Sequence, residues 1–233
     1  MALDLVLLDA GNTVIFLDHE AVADIVTSHG HPTDARVLRQ VEGVAKRRYE
    51  TLLRAGVSHE EGWGLYLRAL LEEAGLGAAT AREMVVPLRR AHDAFNLWRS
   101  VPSALPHALA RLRAAGLRVG IVSNSEGKLP DVFARVGLGD AFEIIVDSHH
   151  EGVRKPDPEI FRRALARLRV EASRAIYLGD IPGIDVDGAR AAGLDAVLVD
   201  ALDFYPDHAD SLRVRSVAEW VDHHLGPETP SRT

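Results

Sequence analysis

Five short apolar runs, each followed by polar residues or glycine, recur along the chain. Their apolar residues are continuous rather than alternating, which is typical of strands buried on both faces of a parallel sheet. Segments with helical periodicity separate the later runs, and this alternation predicts an α/β fold with a doubly wound parallel sheet. The predicted strands cover 3–9, 118–124, 142–148, 174–180 and 195–200, and the helices between them cover about 103–115, 126–136, 157–168 and 183–192.

The spacing of the first two predicted strands indicates an inserted domain. A strand–helix–strand unit takes roughly 30 residues, whereas about 110 residues separate these two runs. Between them, the patterns at 58–61 and 80–83 are typical of helix-opening capping boxes, and Pro87 is expected to separate two further helices. We therefore predict a core domain at 1–16 and 99–225, an all-helical domain at 17–98 and a disordered tail at 226–233. A predicted helical stripe in the insert comprises Val37, Leu38, Val41, Val44, Ala45, Tyr49, Leu52 and Leu53.

Composition and charge narrow the class of protein. The 233 residues include no cysteine, which excludes disulfides, thiolate nucleophiles and zinc–thiolate sites. The 27 Lys and Arg against 34 Asp and Glu give a formal net charge of −7, which disfavours nucleic acids and anionic membrane surfaces as partners. The first ten residues do not have the pattern of a signal peptide, and no stretch approaches the length of a membrane span, so we expect a cytoplasmic protein. A monomer and a homodimer are equally compatible with the sequence.

Polar residues cluster at the carboxyl ends of the predicted strands, where open parallel sheets bind their ligands. Asp9 ends the first strand, Ser123 ends the second, and Lys155 follows the third; Asp180 ends the fourth and is followed by Asp185. Asp9 and Asp180 can hold Mg²⁺, which prefers oxygen ligands, and the cation and Lys155 would offset the charge of a phosphate. Asp9 could then attack phosphorus, while Ser123 and the N–H groups of the helix after it donate hydrogen bonds to the phosphate oxygens.

Each of these features also has an ordinary structural interpretation as a turn or a helix cap. Their joint occurrence, in order and at successive strand ends, favours the chemical interpretation. With the stretches SHHEGVRKPDPEIF and YLGDIPGIDVDGARAAG, the chain resembles the haloacid dehalogenase-like (HAD) hydrolase superfamily over its whole length. The inserted helices resemble the cap of the subgroup with a C1-type cap.

The resemblance implies a Rossmann-like core, a helical cap and a Mg²⁺-dependent phosphohydrolase that acts on a small phosphorylated metabolite through an aspartyl phosphate. Asp9 would be the nucleophile, with the hydroxyl of Ser123 and the amine of Lys155 as further catalytic groups. The resemblance assigns phosphate contacts to Asp9, Ser123, Asn124 and Lys155, and it assigns Mg²⁺ binding to Asp9, the main-chain carbonyl of Gly11, Asp180 and, directly or through water, Asp185.

One position departs from the pattern of the family's phosphatases, which usually carry a second Asp two residues after the nucleophile as a general acid. Here that position is Gly11, and the neighbouring Asn12 cannot titrate. General acid–base catalysis contributes roughly 10²–10⁴-fold, so an alkyl phosphate should turn over poorly. The substrate could instead be an acyl or aryl phosphate, or His29, His31 or His92 of the helical domain could supply the proton.

The missing acid also leaves other activities open. The protein could bind a phosphorylated ligand or a partner without efficient turnover. Dehalogenases of the superfamily lack the second Asp, but they have no use for metal-binding acids such as Asp180 and Asp185. Phosphonate-cleaving members carry a small residue there and an imine-forming lysine in the cap. Lys46 is the candidate for that lysine, although its neighbours Arg47 and Arg48 favour a solvent-exposed helix face.

Overall fold

The computed structural model describes residues 3–55, 57 and 59–227, except the side chains of 53, 54 and 59–61. The chain divides into two compact units. Of the described residues, those up to Phe16 and from Val101 onward form the core unit, and those between Leu17 and Ser100 form the helical unit. Within the described residues, no helix has the length and apolar character needed to cross a membrane. From residue 228 onward, the predicted disordered tail lies outside the described residues.

Parallel strands form the centre of the core unit. The strands of the chain are β1 (Leu5–Leu8), β2 (Phe16–Leu17), β3 (Trp98–Ser100), β4 (Arg118–Ser123), β5 (Ile144–Asp147), β6 (Ala175–Gly179), β7 (Asp195–Val199) and β8 (Leu212–Val214). Six of them form one sheet in the order β5-β4-β1-β6-β7-β8, with every pair parallel, and β2 pairs with β3. The predicted parallel α/β sheet is confirmed. The strand order reverses between β1 and β6, so a ligand crevice is expected at their carboxyl ends.

Helices follow the strands of the core unit and build the helical unit. They are α1 (His19–Ser28), α2 (Ala35–Arg54), α3 (His59–Glu73), α4 (Ala78–Ala94), α5 (Leu105–Ala114), α6 (Leu129–Arg135), α7 (Ser148–Glu151), α8 (Pro158–Leu168), α9 (Asp187–Ala191) and α10 (Val217–Leu225). A 3-10 turn covers Ala172–Arg174, and a π-helical turn, Pro182–Val186, precedes α9.

Local sequence signals explain the best-predicted elements. All four residues of β1 are fully buried, as expected for the central strand of a sheet that is covered on both faces. The carboxylate of Asp157 caps α8 by accepting the backbone N–H of Glu159 at 2.9 Å, and Pro158 begins the helix, as its sequence predicts. The edge strand β8 was not predicted, because its three residues are half exposed and form no continuous apolar run.

Two predictions for the helical unit are wrong, and a third is correct only in part. Pro87 lies inside α4, because a buried stripe of α4 continues past it and packing offsets the lost backbone bond. Thr80 lies in the first turn of α4 rather than at its N-cap, which is Gly77, because the preceding alanines favour the helix. The predicted stripe on α2 is correct in part: Leu38 and Ala45 are buried and Val41 and Tyr49 pack against the same apolar cluster, whereas Val37 and Val44 are exposed. The side chain of residue 53 lies outside the described part of the chain. The other predicted capping box includes Ser58, which lies outside the described residues.

Candidate active site

Asp9 follows directly on β1, the central strand of the sheet. Its backbone N–H donates to the carbonyl of Leu178 at 2.8 Å, which extends the pairing of β1 with β6 by one residue. The residue is 7% exposed, and its Oδ1 accepts a hydrogen bond from Nζ of Lys155 at 2.7 Å. Among the described residues, Oδ2 of Asp9 has no hydrogen-bond partner. The carboxylate therefore has one oxygen held in place and one available to react.

Lys155 supplies the ammonium group of the site. Its buried Nζ donates to Oδ1 of Asp9, to Oδ1 of Asp185 at 2.6 Å and to the hydroxyl of Tyr177 at 2.8 Å, which uses all three N–H groups. The side chain of Asn124 holds the backbone of Lys155, accepting its N–H at 2.8 Å and donating to its carbonyl at 2.9 Å. The side-chain amide of Asn124 is thus engaged, and a phosphate contact from Asn124 stays a prediction.

Asp180 and Asp185 lie in a tight turn after β6. Oδ2 of Asp185 accepts the backbone N–H groups of Asp180 at 3.0 Å and Ile181 at 2.9 Å, while its Oδ1 accepts Nζ of Lys155. A Cβ at Gly179 would lie 2.5 Å from Cγ of Asp185, so this close approach requires glycine. Asp185 therefore shapes the turn that presents Asp180 at the end of the sheet.

Tyr177 joins several of these elements and was missed by sequence reasoning. Its hydroxyl donates to the carbonyl of Val122 at 2.8 Å and accepts Nζ of Lys155, with Oδ1 of Asp185 at 3.2 Å. Its ring packs edge-on against Phe161, with 4.9 Å between ring centroids. A tyrosine inside an apolar run has the pattern of a core residue, so the sequence carries no signal for this role.

Ser123 ends β4, in register with Asp147 of β5. It is buried, and its hydroxyl has no hydrogen-bond partner within the part of the chain that the structure describes. A helix follows Ser123 as predicted, but α6 begins at Leu129 rather than at about residue 126. Asp147 holds the intervening loop instead, accepting the hydroxyl of Ser125 and the backbone N–H of Gly127. The N–H groups of α6 therefore do not follow Ser123 directly.

The site carries more negative than positive charge. Asp9, Asp180 and Asp185 are buried, and one carboxylate oxygen of each lies within 4.8 Å of the others. The pKa of Asp9 is raised to about 7: burial is the largest cause, Lys155 acts in the opposite direction, and the carboxylates of Asp185 and Asp180 contribute to the rise. Burial by itself would lower the pKa of Lys155, but Asp185 and Asp9 raise it above its usual value. Burial also raises the pKa of Tyr177. Three carboxylates thus face one ammonium, which favours a bound cation.

Comparison with known sequences identifies the family of this chain. The family model described as haloacid dehalogenase-like hydrolase matches residues 3–193, which is most of the chain. The chain belongs to this family. Haloacid dehalogenase-like hydrolase domain-containing protein 3 of Bos taurus is 28% identical over 200 residues, covering 82% of this chain and 79% of that protein.

Further similarities concern one enzyme and one solved structure. Phosphoserine phosphatase of Thermus thermophilus is 35% identical over 167 residues, which cover 70% of this chain and 55% of that enzyme, so only about half of its length is aligned. The structure of the HAD-hydrolase YfnB from Bacillus subtilis bound to magnesium has a TM-score of 0.73 at 20% identity. That comparison covers 97% of this chain and 100% of the other.

Gly11 lies in the loop after Asp9, two residues beyond it, and glycine has no titratable side chain. The predicted substitutes lie in the helical unit. His29 is exposed, and its Nδ1 lies 2.8 Å from the carbonyl of Ile25. His92 is buried, and its Nδ1 accepts the backbone N–H of Leu97 at 3.2 Å. The supply of a proton by these residues or by the partly exposed His31 stays a prediction.

Lys46 is only 3% exposed, so the prediction of a solvent-exposed helix face is wrong. It lies on α2 between the buried Glu42 and Glu50, at a four-residue spacing that places all three on one side of the helix. Glu42 accepts the hydroxyl of Tyr66 at 2.6 Å, and Nε2 of His19 lies 2.9 Å from its other oxygen. Nearby carboxylates permit the burial of an amine. An imine-forming role for Lys46 stays a prediction.

Proposed function

We propose that this haloacid dehalogenase-like hydrolase is a Mg²⁺-dependent phosphohydrolase that acts on a small phosphorylated metabolite through an aspartyl phosphate at Asp9. The observation that carries the proposal is the buried cluster of three carboxylates against one ammonium, with one oxygen of Asp9 unpartnered among the described residues. The phosphatase name of the Thermus thermophilus relative supports the same reaction class.

The donor set fits Mg²⁺. Its groups are oxygens, which this hard cation prefers, and their surplus negative charge is what a divalent ion would neutralise. Asp9, Asp180 and the main-chain carbonyl of Gly11 would hold the ion, with Asp185 close to it directly or through water. When bound, the ion would offset the charge of the phosphoryl group and favour the ionised form of Asp9.

The residues of the chain supply the remaining chemistry. A carboxylate oxygen of Asp9 attacks phosphorus and forms a new O–P bond, while the bond from phosphorus to the leaving oxygen breaks and that oxygen keeps the electron pair. Water then hydrolyses the aspartyl phosphate to phosphate and the free carboxyl group. The ammonium of Lys155 offsets the negative charge of the phosphoryl oxygens, and the hydroxyl of Ser123 donates a hydrogen bond to one of them.

Gly11 limits which substrates suit this site. The departing oxygen needs a proton when its conjugate acid is weak, as in an alkyl phosphate, and the usual carrier is missing. A general acid contributes roughly 10²–10⁴-fold. Acyl and aryl phosphates have leaving groups that need little protonation, so we propose that they are the better substrates.

Phosphate release from acyl, aryl and alkyl phosphates, with and without Mg²⁺, tests this function. We expect release to require Mg²⁺, to favour the acyl and aryl members, and to fall at least about 10³-fold in Asp9→Asn, because an amide is a poor nucleophile. Asp131→Asn is the matched control, since Asp131 is exposed in the first turn of α6. It should leave the rate unchanged.

Two outcomes would contradict the proposal. Phosphate binding without release from any substrate would favour a protein that binds phosphorylated ligands or a partner without turnover. Mg²⁺-independent activity on a 2-haloacid, or cleavage of a phosphonate, with both compounds included in the same panel, would favour another chemistry of the family. The buried Asp180 and Asp185 argue against a dehalogenase, which has no use for metal-binding acids.

A further inference from the structure

Asn12 has an unusual backbone conformation in the loop after Asp9. Its φ of 53° lies in the left-handed region that favours glycine and tolerates asparagine. Its backbone N–H donates to the carbonyl of Ile15 at 2.8 Å, and the N–H of Val14 donates to the carbonyl of Ala10 at 2.9 Å. The loop is therefore tightly closed, and the side chain of Asn12 starts from a fixed position three residues after the nucleophile.

The side-chain amide of Asn12 contacts a carboxylate of the site. Its Nδ2 donates to Oδ2 of Asp180 at 3.2 Å. Only the NH₂ group can face a carboxylate oxygen, so this contact also settles which way the amide points. Oδ1 of Asn12 is then buried, with no hydrogen-bond partner in the described part of the chain. A buried acceptor without a donor is a place where an arriving ligand or water can add a bond.

We propose that Asn12 is a positioning residue that holds the carboxylate of Asp180 ready for the cation; this inference rests on the proposed Mg²⁺-dependent function. Asp180 and Asp9 come from different loops, and the carboxylates of Asp9 and Asp185 repel that of Asp180. A neutral donor on Asp180 offsets part of this repulsion without competing for the cation. Hydrogen bonds to metal-ligating carboxylates fix their orientation, and their loss typically weakens metal binding about 10–100-fold.

Replacement of Asn12 by glycine separates this role from a purely conformational one. Glycine adopts a φ of 53° without strain, so Asn12→Gly removes the amide while keeping the loop. Arg169→Gly is the matched control, because Arg169 has a φ of 54° and is exposed at the C-terminal end of α8. Any effect of the glycine backbone alone should be shared by the two variants.

The measurements are Mg²⁺ binding to the full chain by titration calorimetry, without substrate, and the midpoint of thermal unfolding in the absence of Mg²⁺. For Asn12→Gly we expect about 10-fold or greater weakening of Mg²⁺ binding and an unfolding midpoint that is not substantially lower than that of Arg169→Gly. Arg169→Gly should bind Mg²⁺ as the wild type does. A purely conformational role of Asn12 would not weaken Mg²⁺ binding while leaving stability intact, so this result would support the positioning role.

Each other outcome has a definite meaning. Equal Mg²⁺ affinity in wild type and Asn12→Gly overturns the positioning role and leaves the proposed function intact. Weaker binding together with an unfolding midpoint far below that of Arg169→Gly also overturns the positioning role, because loss of the local fold would then explain the weaker binding. A wild-type protein that binds no Mg²⁺ overturns the proposed function first, and the positioning role with it.

Discussion

The core unit and the helical unit both bury charged side chains, but they satisfy them differently. In the core unit, three carboxylates meet the single ammonium of Lys155, and the pKa of Asp9 is raised to about 7. In the helical unit, both oxygens of Glu42 are engaged, one by Tyr66 and one by His19. A carboxylate that is satisfied within its own unit contributes to the packing of that unit. A surplus of buried charge instead indicates a site for a ligand of opposite charge.

Replacement of Lys155 should have the largest effect on stability and is the most direct test of this difference between the two units. We expect Lys155→Met to lower the free energy of unfolding of the Mg²⁺-free protein by about 3–5 kcal/mol at pH 8. The reason is that the carboxylates of Asp9 and Asp185 stay buried without the ammonium group that they share. Glu42→Gln, its counterpart in the helical unit, should cost only about 1–2 kcal/mol, since glutamine can still accept the hydroxyl of Tyr66.

Urea denaturation followed by tryptophan fluorescence measures both losses and separates the units. Trp220 lies in the core unit, whereas Trp63 and Trp98 lie in the helical unit. Equal losses in Lys155→Met and Glu42→Gln would show that the two clusters do not differ in the proposed way. A smaller loss of unfolding free energy for Lys155→Met at pH 5 than at pH 8 would support the proposed difference, because protonated carboxyl groups need no positively charged partner.

Much of this architecture follows from local sequence signals. Continuous apolar runs mark the strands of a parallel sheet, and the Asp157-Pro158 pair marks the start of α8. The edge of the sheet where Asp9, Ser123 and Asp180 lie then follows from topology alone. These features were predictable because each depends on a few neighbouring residues or on a general rule of sheet winding.

Other features depend on contacts that no local pattern reports. Tyr177 bonds to Lys155 and to Val122, residues far away in the chain, and has the appearance of a core residue in its own strand. Lys46 lies beside two arginines in sequence, yet it is buried between carboxylates on another face of α2. Pro87 stays within a helix because packing offsets its missing N–H. In each case tertiary contacts decide against the local propensity.

The buried carboxylates of the core unit should also make the stability of the wild-type protein depend on pH. The pKa of Asp9 is 3.8 for an ordinary aspartate and about 7 in the folded protein, so between these values the folded state binds a proton that the unfolded state lacks. Stability therefore falls as the pH rises through this window, by up to about 1.4 kcal/mol per pH unit. Calorimetric unfolding between pH 5 and pH 8, without Mg²⁺, measures the slope.

Two controls assign this slope to the site. Asp9→Asn removes the titrating group and should flatten the dependence. Saturating Mg²⁺ should also flatten it, because a bound cation favours the carboxylate in the folded state and stabilises that state by mass action. A slope that is the same in wild type and Asp9→Asn would mean that groups elsewhere cause it, and the electrostatic contrast between the units would lose its main support.

Tyr177→Phe should have the smallest effect, and it shows how far the site depends on neutral groups. The change deletes one hydroxyl and leaves the carbonyl of Val122 and one N–H of Lys155 without a partner, which should cost about 1–2 kcal/mol of folding free energy. Because Lys155 loses a fixed contact, kcat should fall more than KM changes. Tyr205→Phe is the matched control, since Tyr205 packs partly buried against the same apolar cluster but does not bond to Lys155. If the two variants lost stability and kcat equally, the hydroxyl of Tyr177 would only fill space, and the balance of the site would depend on its charged groups alone.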